Sequence, residues 1–290
     1  MRTLGLWLAC FFWAVSFIAS KVALESASPM TVVTLRLVIS ALCFAFWFSL
    51  RGWPRLQWTR RRVGQVVVLS LMGTSLHYGT QTMGLQYTPA CNASLYASTC
   101  PILIALIAAF MLGERISPRK FIGIALALAG VLVSMGLGTL SAFEVRSFLK
   151  GDLLVFTSLF FWALFTVYGK SLMSQVGALE LLGLVTIVGA ATLLPVFAIG
   201  SWLHGGSLAV IAPRGWAAIV FLGVTCSFLA TLLYFWALER TESQKVGVYL
   251  YTIPLMTYAA AWLTLGETVG WNLFWGSLFV LCGVLLTERG

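Results

Sequence analysis

Residues 96–114 read YASTCPILIALIAAFMLGE, and residues 249–267 read YLYTIPLMTYAAAWLTLGE. Tyr96, Thr99, Pro101 and Leu112-Gly113-Glu114 thus recur as Tyr249, Thr252, Pro254 and Leu265-Gly266-Glu267 at one constant offset. The offset persists downstream, where Phe121, Gly123, Gly130, Val131 and Leu132 match Phe274, Gly276, Gly283, Val284 and Leu285. Upstream, FFWAV at Phe11–Val15 returns as FFWAL at Phe160–Leu164, and Lys21 matches Lys170. A four-residue length change in or beside the second apolar run accounts for the slightly different spacing there. Apolar segments resemble one another by chance because they use few residue types. Agreement across Pro, Gly, Glu and Tyr is a different matter and marks an internal repeat.

The matched stretches are too apolar for a soluble domain. Of 290 residues, 60% are hydrophobic and only 9% charged, against roughly 25% charged in soluble domains. A spanning helix needs about twenty apolar residues. Runs of that kind lie at 4–24, 30–50, 63–84, 90–112, 118–137, 151–170, 177–199, 215–238, 243–265 and 270–287. The longest connections fall near 51–62, 138–150 and 200–214. The segments on the N-terminal side of the membrane hold Arg2, the Arg51–Arg62 cluster, Arg115, Arg119, Lys120, Lys170, Arg240, Lys245 and Arg289. The opposite side holds only Lys21, Arg146, Lys150 and Arg214. The positive-inside rule therefore puts both termini in the cytoplasm.

The fold class expected is an all-α integral membrane protein of ten transmembrane helices in two inverted five-helix repeats, N-in and C-in. Residues 1–137 form the first repeat, 138–150 the connecting loop and 151–290 the second repeat. An odd number of helices per half sends the second half into the membrane upside down. Inverted repeats recur in secondary transporters, whose substrate sits near the midplane between the halves.

Composition also excludes function classes. The net charge of +9 comes from short segments between apolar runs and has no interleaved aromatic face, so nucleic acid is not a partner. The cysteines (Cys10, Cys43, Cys91, Cys100, Cys226, Cys282) lie in apolar runs without metal-ligand or disulfide spacing. The first span starts at once without a cleavage site, so it reads as an uncleaved helix rather than a signal peptide. No metal, cofactor or catalytic residue is expected. The partners are the lipid bilayer and a small-molecule metabolite, and a monomer suffices.

In order along the chain, the motifs resemble the drug/metabolite transporter superfamily, specifically its EamA-type ten-helix members. The resemblance rests on WAVSFIASK at Trp13–Lys21, SPMTVVTLR ending at Arg36, Pro101 followed by LGER, and GIALALAGVLV at Gly123–Val133. The second half adds GDLL at Gly151–Leu154, FWAL at Phe161–Leu164, Pro254 followed by LGE, and GSLFVLCGVLL at Gly276–Leu286. Trp13-Ala14 stands where members often have Trp-Gly. The resemblance implies export or exchange of small metabolites, amino acids above all, through the bacterial inner membrane. A nucleotide-sugar or sugar-phosphate carrier of the same superfamily would need more cavity cations than Arg36, Lys21 and Lys245. A membrane-embedded transferase would need a His/Asp/Glu cluster, which a chain with two histidines (His77 and His204) does not offer.

Candidate pathway residues are the polar and aromatic groups at depth, where polarity is costly and generally faces a cavity. Asn92, Tyr96 and Thr99 share one face of the fourth span, and Lys245, Tyr249 and Thr252 the equivalent face of the ninth. Either these faces line a pathway, or their hydroxyls and amides join helices. Pro101 and Pro254 kink those spans and free the carbonyls of Ala97 and Leu250, which can accept from a substrate ammonium or be met by a hydroxyl or water. His77, Tyr78 and Gln81 belong to the third span, with Tyr234 and Thr231 as counterparts in the eighth. His77 is a cavity residue, a packing residue or a proton carrier. Trp13 and Trp162 are repeat equivalents well inside their helices, as site walls or core. Arg36 lies two turns into the second span, where it attracts a carboxylate or a carbonyl cluster. Lys21 and Lys170 suit helix C-termini. Asp152 reads as an N-cap, Glu114 and Glu267 as loop anchors, and Gly123, Gly130, Gly276 and Gly283 as close-packing faces. The carboxylates all fall near helix ends, which favours facilitated exchange over proton antiport.

Overall fold

A computed structural model describes residues 2–54, 59–88, 90–135, 145–204, 208–265 and 271–290. Their regular structure is entirely helical. The first half comprises α1 (Arg2–Leu24), α2 (Pro29–Arg51), α3 (Arg60–Ser70), α4 (His77–Gly84), α5 (Ala90–Ala97), α6 (Cys100–Leu112) and α7 (Pro118–Met135). The second comprises α8 (Val145–Val176), α9 (Ala178–His204), α10 (Pro213–Phe221), α11 (Thr231–Leu238), α12 (Ser243–Gly247), α13 (Thr252–Leu265) and α14 (Trp271–Arg289).

Local chemistry sets several of these limits. Ser28 caps α2 by accepting from the Thr31 N–H at 3.2 Å, with Pro29 in the first turn. Gly52 (φ 98°) and Gly113 (φ 65°) end α2 and α6 in backbone conformations that side chains resist. Five segments are long and apolar enough to cross a membrane: Arg2–Leu24, Pro29–Arg51, Lys150–Val176, Ala178–Ile199 and Pro213–Leu238. Cys100–Leu112 is a shorter apolar helix.

The surface is inverted relative to a soluble protein. Phe46, Leu50, Phe110, Phe121 and Trp271 are exposed, while Arg36, His77 and Asp152 are buried. An apolar exterior over a polar interior is the arrangement a bilayer demands, and this is a multi-pass membrane protein.

Each half departs from the regular helix at matched places. A π-helical segment at Leu71–Leu76 joins α3 to α4, and another at Leu222–Ala230 joins α10 to α11. The expected fourth span is not continuous: α5 ends at Ala97 and α6 begins at Cys100. The ninth is broken by a 3-10 turn at Val248–Tyr251. Pro101 and Pro254 therefore sit in the first turn after a break rather than at a mid-helix kink. Their missing amides and ring bulk disfavour the preceding α-helical turn. The sixth span also differs: α8 starts at Val145, inside the expected connection 138–150, of which residues 138–144 lie outside the described residues.

Glycines set the closest helix contacts. A Cβ on Gly283 would lie 2.5 Å from the Gly123 carbonyl oxygen, and one on Gly130 2.7 Å from that of Gly276. α7 and α14 thus pack backbone to backbone along the expected small-residue faces. Gly84 and Gly151 bring α4 against α8 in the same way.

Candidate functional site

The helices surround a narrow cavity of about 50 Å³, tighter than the roughly 300–1,000 Å³ of open small-molecule sites. Its walls are Trp13, Ser16 and Phe17 of α1, Arg36 of α2, and His77, Tyr78 and Gln81 of α4. Ala97 and Cys100 flank the α5–α6 break, Leu159 and Trp162 belong to α8, and Leu250 and Ile253 flank the second break. Both halves of the chain contribute. The breaks bring Ala97 and Leu250 to the wall, and their carbonyls lack an i+4 amide because Pro101 and Pro254 have none.

Arg36 is the dominant charge. It is 1% exposed, its Nε donates to Ser227 Oγ at 3.0 Å, and its guanidinium carbon lies 4.2 Å from the Tyr78 ring centroid. Among the described lining residues there is no carboxylate. A buried cation without a counter-ion costs several kcal/mol unless something neutralises it. Stacking on Tyr78 holds the guanidinium plane, and its remaining N–H groups form a fork suited to a carboxylate.

The two π-helical segments position these groups. The wider turn of Leu222–Ala230 carries Ser227, and its Cys226 carbonyl accepts from Trp13 Nε1 at 3.2 Å and from Thr231 Oγ1 at 3.1 Å. The segment Leu71–Leu76 delivers His77, whose Nδ1 lies 2.9 Å from the Ser158 carbonyl oxygen. π-bulges concentrate at functional sites because they re-aim side chains and free carbonyls. Aromatic rings pack into a layer that includes two of the cavity's walls. Trp13 and Trp162 meet edge-on at 5.2 Å, Tyr234 lies 5.1 Å from Trp13, and Phe235 packs on Trp162 and Phe165.

Trp13, Arg36, His77, Tyr78, Gln81 and Trp162 are thus assembled at one cavity, and the other candidates with described side chains are not. Tyr234 is fully buried behind the tryptophans. Thr99 and Thr252 turn their hydroxyls onto the carbonyls of Tyr96 and Tyr249, at 2.8 and 2.7 Å. Tyr96 hydrogen-bonds Asp152. Tyr249 donates to Glu288 at 3.0 Å, and it lines a separate pocket with Lys245, Arg2 and Thr3. The Asn92 side chain lies outside the described residues, as does Glu267. Asp152 is not an N-cap: it sits inside α8 and accepts from Thr88 Oγ1 at 2.5 Å. Ser227 and Ser158 were not singled out by the sequence, since only the fold brings them to Arg36 and His77.

A polar latch ties the two halves at the end of α6. Glu114 Oε1 accepts from Lys170 Nζ at 2.9 Å and from Ser243 Oγ at 3.0 Å, and the carboxylate also takes the Ser243 N–H. Lys170 donates to the Thr241 carbonyl at 2.6 Å, and Lys120 pairs with Glu242. Burial opposes ionisation of Glu114, yet the Lys170 ammonium and the Ser243 N–H together hold its carboxyl below the usual carboxylate value. Among the described residues no cluster of three or more His, Cys, Asp or Glu is placed to hold a metal.

The chain matches the EamA-like transporter family over residues 3–136 and again over 149–289. An uncharacterized transporter of Archaeoglobus fulgidus is 32% identical over 284 residues, covering 97% of this chain and 94% of that one. A protein of Escherichia coli K12 named a probable amino-acid metabolite efflux pump is 24% identical, covering 96% and 91%. A crystal structure at 20% identity superposes with a TM-score of 0.79 over 99% of this chain and 97% of its own, which shows a shared fold. Two successive family matches take in nearly the whole length, each spanning one copy of the repeated motifs, and the chain belongs to the EamA-like transporter family.

Proposed function

We propose that the protein is a secondary transporter that exports or exchanges a small carboxylate-bearing metabolite, of the amino-acid class, by alternating access. In this reading the chain crosses the bacterial inner membrane ten times. Two inverted five-helix halves, 1–137 and 151–290, are joined by 138–150, with both termini cytoplasmic and no catalytic role. The observation that carries the substrate class is Arg36: a buried guanidinium on the cavity wall, with no carboxylate among the described lining residues. A substrate carboxylate supplies the missing counter-charge.

The cavity, about 50 Å³ in this conformation, has to widen to admit a solute of this class, as a constricted state of an alternating cycle does. The name of the Escherichia coli relative points to the same class. In this reading the latch of Glu114, Lys170 and Ser243 and the aromatic layer close one end, and the cavity opens past Ser16 and Gln81 toward the other. That asymmetry suits one of the two states of an alternating cycle, open on the side away from the latch. With no carboxylate among the described lining residues, facilitated exchange fits better than proton antiport.

Counterflow in proteoliposomes, across a panel of amino acids and other metabolites with and without an imposed pH gradient, tests the reading. It predicts exchange of carboxylate-bearing solutes that is indifferent to the gradient. Exchange of uncharged sugars or amines alone contradicts the substrate class, and uptake that follows the proton gradient contradicts the coupling.

A further inference from the structure

We infer that His77 is the specificity-determining residue that reads the substrate's ammonium group, so that the cavity selects zwitterions over plain carboxylates. The inference rests on the carboxylate role of Arg36 proposed above. The Ser158 carbonyl can only accept, so the hydrogen in the 2.9 Å contact belongs to His77 Nδ1. A second cation beside Arg36, with no carboxylate among the described lining residues, is electrostatically unfavourable, so the ring is the neutral tautomer. Its remaining polar atom, Nε2, is then a lone-pair acceptor on a ring that lines the cavity.

The ring is also held in place. It packs at a tilt with its centroid 4.9 Å from that of Trp162 and 4.7 Å from that of Tyr78, and its Nδ1 is committed to Ser158. Of the other side-chain acceptors on the wall, which include the Ser16 and Tyr78 hydroxyls, Gln81 is half-buried and carries no such anchor among the described contacts. Tyr78 is shared: the guanidinium of Arg36 rests on its ring at 4.2 Å and the imidazole of His77 flanks it. A donor for a carboxylate and a neutral acceptor thus both rest against one tyrosine, as the adjacent charges of an α-amino acid require. An acceptor pre-set by packing binds without the entropy cost of ordering a free side chain.

The test is isothermal titration of the full chain in lipid nanodiscs, with empty nanodiscs as the blank. The probes are L-leucine with isocaproate and isoamylamine, and L-phenylalanine with hydrocinnamate and phenethylamine. Each set removes the amine or the carboxylate from one skeleton. In the wild type, each amino acid binds about tenfold tighter than its des-amino acid, the worth of one hydrogen bond to a charged group. His77→Asn keeps a donor for the Ser158 carbonyl but loses the Nε2 acceptor. It brings the amino acid down to the affinity of the des-amino acid, which itself is unchanged. His77→Gln, whose longer amide can return an acceptor oxygen, restores part of the preference. Equal binding of both acids by the wild type overturns the inference while leaving the carboxylate role of Arg36 standing. An equal loss of both acids in His77→Asn and His77→Gln overturns it in favour of a structural role. Binding of the amines but of neither acid defeats the Arg36 reading itself.

Discussion

In the proposed reading, Arg36 trades stability for function. An unpaired buried guanidinium destabilises the empty protein, because Ser227 and the Tyr78 ring offset only part of its lost hydration. Arg36→Met, close in length and apolar, is therefore expected to raise the melting temperature of the ligand-free protein in detergent. It also abolishes the stabilisation that an added amino acid gives the wild type. Glu114 behaves in the opposite sense. Glu114→Gln strips charge from three contacts with Lys170 and Ser243 and is expected to cost about 1–2 kcal/mol, discounted for partial exposure. Because the folded carboxyl lies below its ordinary value, its contribution is fully present above the unfolded pKa of about 4.3 and is lost as pH falls through the folded value. Thermal melts from pH 7 to pH 3 should fall more steeply for the wild type than for Glu114→Gln. Arg36 and His77 stood out in the sequence because polar groups at depth are costly to place idly, and both tryptophans because they recur as repeat equivalents well inside their helices. Ser227 and Ser158 were not, since a serine in an apolar helix looks the same whether or not it has a distant partner.

Among elements, the pairing of α7 with α14 follows from glycine spacing. Gly283→Leu drives a side chain into the Gly123 carbonyl and the Ala127 amide, 2.5 and 2.6 Å from its Cβ. It is expected to destabilise by about 1–3 kcal/mol or more, seen as a lower melting temperature. Gly64→Ala, with nothing within 4 Å, should be neutral or gain up to about 1 kcal/mol in helix propensity. If both variants melt alike, the backbone contact between these helices is not what joins them. These glycine faces were readable because a seven-residue spacing keeps small residues on one side of a helix. The π-helical segments were not: their sequences, LMGTSL and LGVTCSFLA, have ordinary helical composition. The extra residue per turn is imposed by what the freed carbonyls and re-aimed side chains find across the interface. The prolines announced a disturbance, but the periodic apolar pattern on both sides hid that each span would break before its proline.

At the scale of the molecule, the matched features fall into a pattern that no single helix discloses. Breaks before Pro101 and Pro254 and π-helical turns beside His77 and Ser227 converge on one cavity. The latch of Glu114, Lys170 and Ser243 ties α6, α8 and α12 together at one end. Charge reversal tests the latch as a device for exchange: Glu114→Lys should disrupt transport, and adding Lys170→Glu should recover part of it, because the pair is restored while the Ser243 contacts are not. The measurement closest to the central claim is counterflow of labelled amino acids by wild type and Arg36→Met, reconstituted in equal amounts. The account predicts robust exchange by the wild type and a loss of about tenfold or more in the variant, the scale of a charge-assisted hydrogen bond pair. Undiminished amino-acid exchange by Arg36→Met would contradict it.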